Sequence, residues 1–84
     1  MSVADDMFKK LGYKKNPDSS KMYFEYYKKD PDNSDIQQVI SFDGKYKTVM
    51  SCLYTKGVFK AMAGVLTIPE LKAVNKKVKE LWDA

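Results

Sequence analysis

The chain contains no histidine and no arginine, one cysteine and only four glycines. Each shortage excludes something. Without histidine, the commonest general base and metal ligand is missing. The lone Cys52 has no internal disulfide partner and no histidine to activate it as a thiolate. The glycines are scattered, so there is no glycine-rich phosphate loop, and no Gly-x-Ser-x-Gly elbow exists. No catalytic residue, metal site or cofactor is therefore expected, and Cys52 reads as a small buried hydrophobe. All fifteen basic residues are lysine. Lysine is a point charge, whereas bidentate reading of guanine edges and phosphates is arginine chemistry. Sequence-specific DNA recognition through arginine forks is excluded, and nonspecific attraction to polyanions is not. No apolar run approaches the roughly 20 residues of a membrane span. The start, "MSVADDMFKK", is acidic where a signal peptide is basic and then apolar. A cytoplasmic, unprocessed protein is expected, and a single cysteine with no internal disulfide suits a reducing compartment.

What remains is enough for one domain spanning residues 1–84, with 44% hydrophobic residues and a net charge of +4. A chain of this length buries roughly 60–65% of its unfolded surface, so its stability margin is thin. Val3, Ala4, Met7, Phe8 and Leu11 share a helical face, which predicts a helix over 3–11 with a Ser2–Asp5 capping box. Asp5–Lys9 and Asp6–Lys10 would be favourable i,i+4 pairs on its outer side. Gly12 stands where a left-handed C-cap is expected, and "NPDSS" (16–20) reads as a turn.

In "KMYFEYYKK" (21–29), Met22, Phe24 and Tyr26 alternate with Tyr23, Glu25 and Tyr27, which predicts a strand with the first set inward. "DPDNSD" (30–35) is a polar connector. Asp30, Asp32 and Ser34 match the first calcium-ligand positions of an EF-hand, but Asp35 replaces its glycine and Ser41 its glutamate, so no calcium site is expected. "IQQVISF" (36–42) is a second strand, with Ile36, Ile40 and Phe42 on one face. Asp43–Gly44 signals a hairpin into a third strand, "KYKTVMSCLY" (45–54). A loop extended to Lys45 would pair Phe42 with Tyr46 and Ile40 with Thr48, and the buried face favours it over a two-residue turn. "TKG" (55–57) is another turn, and "VFKAMAGVL" (58–66) reads as a fourth strand in preference to a short helix.

The last segment, "TIPELKAVNKKVKELW" (67–82), is the most strongly patterned. Thr67 and Glu70 form a capping box, and Pro69 sits in the first turn. Leu71, Val74, Val78, Leu81 and Trp82 form a stripe expected to be buried. The lysines would then lie outside, with Lys72, Lys76 and Lys79 along one flank and Lys77 on the other near Glu80. The order α-β-β-β-(β)-α implies an α+β layer, an antiparallel sheet of three or four strands with both helices on one face. Its expected core includes Met7, Phe8, Leu11, Phe24, Ile40, Leu71, Val74, Val78 and Leu81.

Two segments, "ADDMFKKLGYKK" (4–15) and "LTIPELKAVNKKVKELW" (66–82), resemble the two ends of short phage and prophage proteins of low-GC Gram-positive bacteria. Those proteins open with Ala-Asp/Glu-x-Met-Phe-x-x-Leu-Gly-Tyr/Phe and close with a Thr-x-x-Glu-Leu-x-Ala-Ile/Val helix running to Glu-Leu-Gly-Trp. The likeness covers about a third of the chain and departs at the finish, which here is "ELWDA". It implies a phage accessory protein without assigned activity, and it carries over no catalytic residue.

The expected function is binding. A protein partner is the first reading, with inhibition of host machinery or of an antiviral defence system as its outcome. Tyr23, Tyr27, Lys72, Lys76 and Lys79 are the candidate contact residues. The alternative is a small basic nucleic-acid-binding module of weak sequence preference, using the lysine strip on phosphates and the two tyrosines to stack on bases. Either a monomer or a homodimer fits.

Overall fold

The computed structural model describes residues 2–56, 58–62 and 66–82. Helix α1 (Val3–Lys10) leads into a two-residue strand β1 (Lys14–Lys15). Four full strands follow, β2 (Tyr23–Lys29), β3 (Ile36–Asp43), β4 (Thr48–Thr55) and β5 (Val58–Met62), and helix α2 (Ile68–Trp82) closes the fold. All neighbouring strands are antiparallel in the order β1-β2-β3-β4-β5. This is the expected α+β layer. The segment 58–66 begins as the expected strand, and its residues 63–65 lie outside those described.

Both helices lie on the same face of the sheet. Phe8 of α1 and Ala73 and Val74 of α2 share one core with Tyr13, Phe24, Tyr26, Ile40 and Phe42. The centre is aromatic. Phe8 stacks on Tyr26 with ring centroids 3.9 Å apart, and Phe42 meets both edge-on. Such geometries place positive ring edges against negative ring faces and add to the area buried.

Polar groups close the same layer. The Ser2 hydroxyl caps α1 by accepting the Asp5 N–H at 3.0 Å and donates to Glu80, whose other oxygen accepts the Ala4 N–H at 2.9 Å. At the start of α2 the capping box is complete, with Glu70 N–H on Thr67 Oγ1 at 3.2 Å and Thr67 N–H on Glu70 Oε1 at 2.8 Å. The buried Glu70 also accepts from the Tyr13 hydroxyl and pairs with Lys28 at 3.6 Å.

Four expectations need correction. The first concerns α2, whose buried residues are Glu70, Ala73, Val74 and Lys77, while Leu71 stays 44% exposed. The helix is rolled toward its capping glutamate and away from Leu71. The second is Lys77, expected on the solvent side yet only 4% exposed. Its ammonium pairs with Asp5 at 3.2 Å and Glu80 at 3.6 Å and lies 3.9 Å from the Phe24 ring centroid. A lysine tolerates burial only when its charge is compensated in this way. Asp5, in turn, is engaged by Lys77, Tyr26 and Lys15 instead of Lys9.

The third is Met22, which precedes β2 and is 63% exposed. Its backbone is used instead, accepting the Gly44 N–H at 2.8 Å. That contact explains Gly44, where an added Cβ would lie 2.3 Å from the Lys21 carbonyl oxygen. Gly44 is needed for close approach, not for a tight turn. The fourth is the hairpin register. Asp43 pairs with Thr48 across a four-residue loop, Phe42 faces Val49 and Ile40 faces Ser51. The Asp43 carboxylate accepts the Lys45 N–H at 2.9 Å, and Lys47 takes the left-handed conformation. Relative to the expected pairing this inverts the two faces of β4, so Val49 packs on the helix-side core and Cys52 points the other way.

Two outcomes follow. Val78 packs against the core and Leu71 does not, so Val78→Asp is expected to cost about 3 kcal/mol or more and Leu71→Asp under about 1 kcal/mol. Urea denaturation of the two variants separates them, and equal losses would contradict the orientation of α2. Burial alone would raise the carboxyl pKa values of Asp5, Glu70 and Glu80. Hydrogen bonds outweigh it, from Tyr26 and Lys77 to Asp5, from Thr67 and Tyr13 to Glu70, and from Ser2 and Ala4 to Glu80, so all three values are lowered. A depressed carboxyl stabilises the fold above its unfolded pKa and loses that contribution as pH falls through its folded one. Thermal stability is therefore expected to fall below the ordinary values of 4.5 for glutamate and 3.8 for aspartate, as melting curves from neutral to acid pH will check.

Candidate functional site

With both helices on one side, alternation along the strands decides what the other side presents. Tyr23, Glu25, Tyr27 and Lys29 of β2 point there, beside Gln37, Val39, Ser41 and Asp43 of β3. On β4 the register adds Thr48, Met50, Cys52 and Tyr54. This open face is closed at its middle, since Val39, Ser41 and Cys52 are buried although they belong to none of the helix-side core. Large neighbours do the covering. Tyr23 is 48% exposed and Met50 44%, while Tyr27 and Tyr54 are half-buried.

Tyr23 is held in place rather than loose. Its hydroxyl donates to Glu25 Oε2 at 2.8 Å and lies 3.2 Å from Ser41 Oγ. Burial and the Glu25 carboxylate raise the hydroxyl pKa, so it is a neutral donor at physiological pH. Glu25 is fixed from the other side by the Asn16 amide at 3.0 Å. The result is a presented aromatic ring with its polar tip already satisfied, which lowers the entropic cost of making a contact.

The lysine strip lies elsewhere. Lys72, Lys76 and Lys79 are all exposed on α2, on the helix side of the sheet. Lys72 borders a shallow cleft of about 310 Å3 with Met7, Lys10, Leu11 and Pro69. The structure therefore brings Tyr23 and Tyr27 together on one face and the three lysines together on the opposite layer, and it does not join the two groups. The "DPDNSD" connector is an Asx turn, with Asp30 accepting the Asp32 and Asn33 N–H groups at 2.8 and 3.2 Å. Among the described residues, no group of three or more acidic or cysteine side chains converges as a metal site would require.

Reading the sequence missed Met50 and Tyr54, because their placement depends on the inverted hairpin register. It also missed Lys14, which pairs directly with Tyr27 across β1 and β2. A two-residue strand has no periodicity to find.

The fold and this surface define a small α+β domain with a one-sided helix layer and an uncovered, tyrosine-bearing sheet. No protein-family model, curated protein or solved structure matches the chain. Among the described residues no helix is long and apolar enough to cross a membrane.

Cys52 tests how well the open face covers itself. The thiol is 2% exposed, and burial together with Glu25 raises its pKa. Alkylation in native buffer is expected to be far slower than in denaturant, since only an exposed thiolate reacts readily. Equal rates measured by mass spectrometry would show that the face is not closed over Cys52.

Proposed function

We propose that this is a non-enzymatic accessory protein of phage or prophage origin that acts in the host cytoplasm by binding a protein partner. The contact surface is the uncovered face of the sheet, and host machinery, including antiviral defence systems, is the class of target. One observation carries the reading, namely the pairing of exposed Tyr23 and Met50 with half-buried Tyr27 and Tyr54 on a sheet face that no helix covers. Tyrosine and methionine are enriched at interface centres, where lysine and glutamate are depleted. The rigid hold on Tyr23 favours the same role. The likeness of both chain ends to Gram-positive phage proteins supports the origin and the target class.

A duplex nucleic acid held on Lys72, Lys76 and Lys79 is the weaker reading. The sheet tyrosine on their side, Tyr26, is buried, as is Tyr13, and three point charges supply little beyond a salt-sensitive attraction.

The test is affinity capture from a lysate of a low-GC Gram-positive host with the wild-type protein and with Tyr23→Ser/Met50→Ser, followed by titration of the purified partner. One host protein is expected to be enriched by the wild type, and the double variant should weaken its affinity by about tenfold or more. Enrichment of nothing, or a partner held equally by the variant, contradicts the reading.

A further inference from the structure

The two ends of the open face differ. Tyr23, Asp43, Thr48 and Met50 lie toward one end, whereas Tyr27, Lys29, Gln37 and Tyr54 lie toward the other, where β1 adds Lys14. Tyr27 walls two adjoining clefts there. One, of about 290 Å3, is bordered by Gly12, Lys14, Tyr27, Lys28 and Lys29 and contains no carboxylate. The other, of about 370 Å3, is bordered by Asn16, Pro17, Glu25, Tyr27, Gln37 and Val39. Three lysines thus meet on one side of an aromatic ring, and apolar and amide groups meet on the other.

From this juxtaposition we propose a second binding activity: the Lys14–Tyr27–Lys29 corner binds single-stranded nucleic acid, with phosphate in the lysine cleft and a base against Tyr27. The division of chemistry between the clefts matches that of a nucleotide. Lys14 and Lys29 flank Tyr27 on its own face, one across the strand pair and one two residues along. Lys28 points to the helix side, where it lies 4.6 Å from the Tyr13 ring centroid and pairs with Glu70, so it borders the cleft without being its main charge. Gly12 has φ 91° and open space where a side chain would project, which leaves its backbone approachable.

On the base side, exposed Pro17 supplies apolar contact and Gln37 an amide group for a base edge, while Asn16 is held internally by Glu25 and the Asp18 N–H. The one carboxylate there, Glu25, is engaged by Asn16 and Tyr23, and it lies in the cleft away from the lysines. Charged grooves beside stacking aromatics bind single strands with little sequence preference, because every base has a π-face. The absence of arginine is consistent with that lack of preference. Duplex DNA keeps its bases stacked and cannot offer one to Tyr27.

This activity does not rest on the protein-partner reading: the two surfaces share Tyr27, but the residues that test that reading, Tyr23 and Met50, lie toward the other end of the face. The experiment is fluorescence anisotropy of labelled oligothymidylate at low and moderate salt, with circular dichroism as a check that every variant is folded. Micromolar binding is expected, with a log–log salt slope of about −1.4, from two phosphates at roughly 0.7 each. Lys14→Gln/Lys29→Gln should remove that slope, and Tyr27→Leu should weaken binding about fivefold or more while keeping it. The variant with Lys72, Lys76 and Lys79 changed to glutamine should bind like the wild type. Inorganic phosphate should compete poorly and thymidine monophosphate better, which separates a nucleotide site from a simple anion site. No binding, equal affinity for duplex, or loss confined to the α2 triple variant would each overturn the proposal.

Discussion

The ammonium of Lys77 is the point on which this fold turns. A domain of 84 residues has little apolar surface to spare, yet it buries a lysine at the seam between both helices and the sheet. The charge is tolerable because Asp5 comes from α1, Glu80 from the next turn of α2, and the ring of Phe24 from β2. Asp5 also holds Tyr26, and Glu80 also holds Ser2 and the Ala4 N–H. One network therefore fixes how both helices sit on β2. Buried pairs of this kind add little net stability over an apolar substitute, but an incomplete one is costly, so they favour a single arrangement. The roll of α2 follows, with Lys77 and Glu70 turned inward and Leu71 turned out.

Consequences reach the other side of the sheet. Because the helices are held on one face, no described helix covers Tyr23, Tyr27, Met50 and Tyr54. The edge beside β2 is sealed separately. Asn16 N–H bonds the Glu25 carbonyl at 2.9 Å, Ser19 Oγ accepts the Glu25 N–H at 3.0 Å, and Ser20 N–H bonds the Tyr23 carbonyl at 2.8 Å. A sealed edge is less prone to unwanted strand pairing, which directs any association there toward the face.

Much of the layer was legible in the sequence because its signals are local. The Thr67–Glu70 capping box, the Gly12 cap, the alternation at Phe24 and Tyr26 and the turn at 16–20 all depend on residues a few positions apart. What was not legible depends on distant partners. Nothing near Lys77 says that Asp5, over seventy residues earlier, will neutralise it, so a solvent-side lysine was the natural expectation. The hairpin failed differently. Both faces of "MSCLY" are apolar, so hydrophobicity could not choose between registers, and the choice fell to the Asp43 side chain and to the backbone beside Gly44. Of the candidate contact residues, the outward tyrosines followed from strand alternation. Their separation from the lysine strip required knowing which face the helices cover, and placing Lys14 beside Tyr27 required the two-residue pairing of β1, whereas Lys29 follows from alternation along β2.

The most direct test of the central claim is a double-mutant cycle of Asp5→Asn and Lys77→Met, read by urea denaturation at neutral pH. If the Lys77 network orients the helices, the coupling energy should exceed about 1.5 kcal/mol, above the range of an exposed ion pair. Additivity of the two substitutions within about 0.3 kcal/mol would contradict the account, because the two charges would then contribute independently of each other.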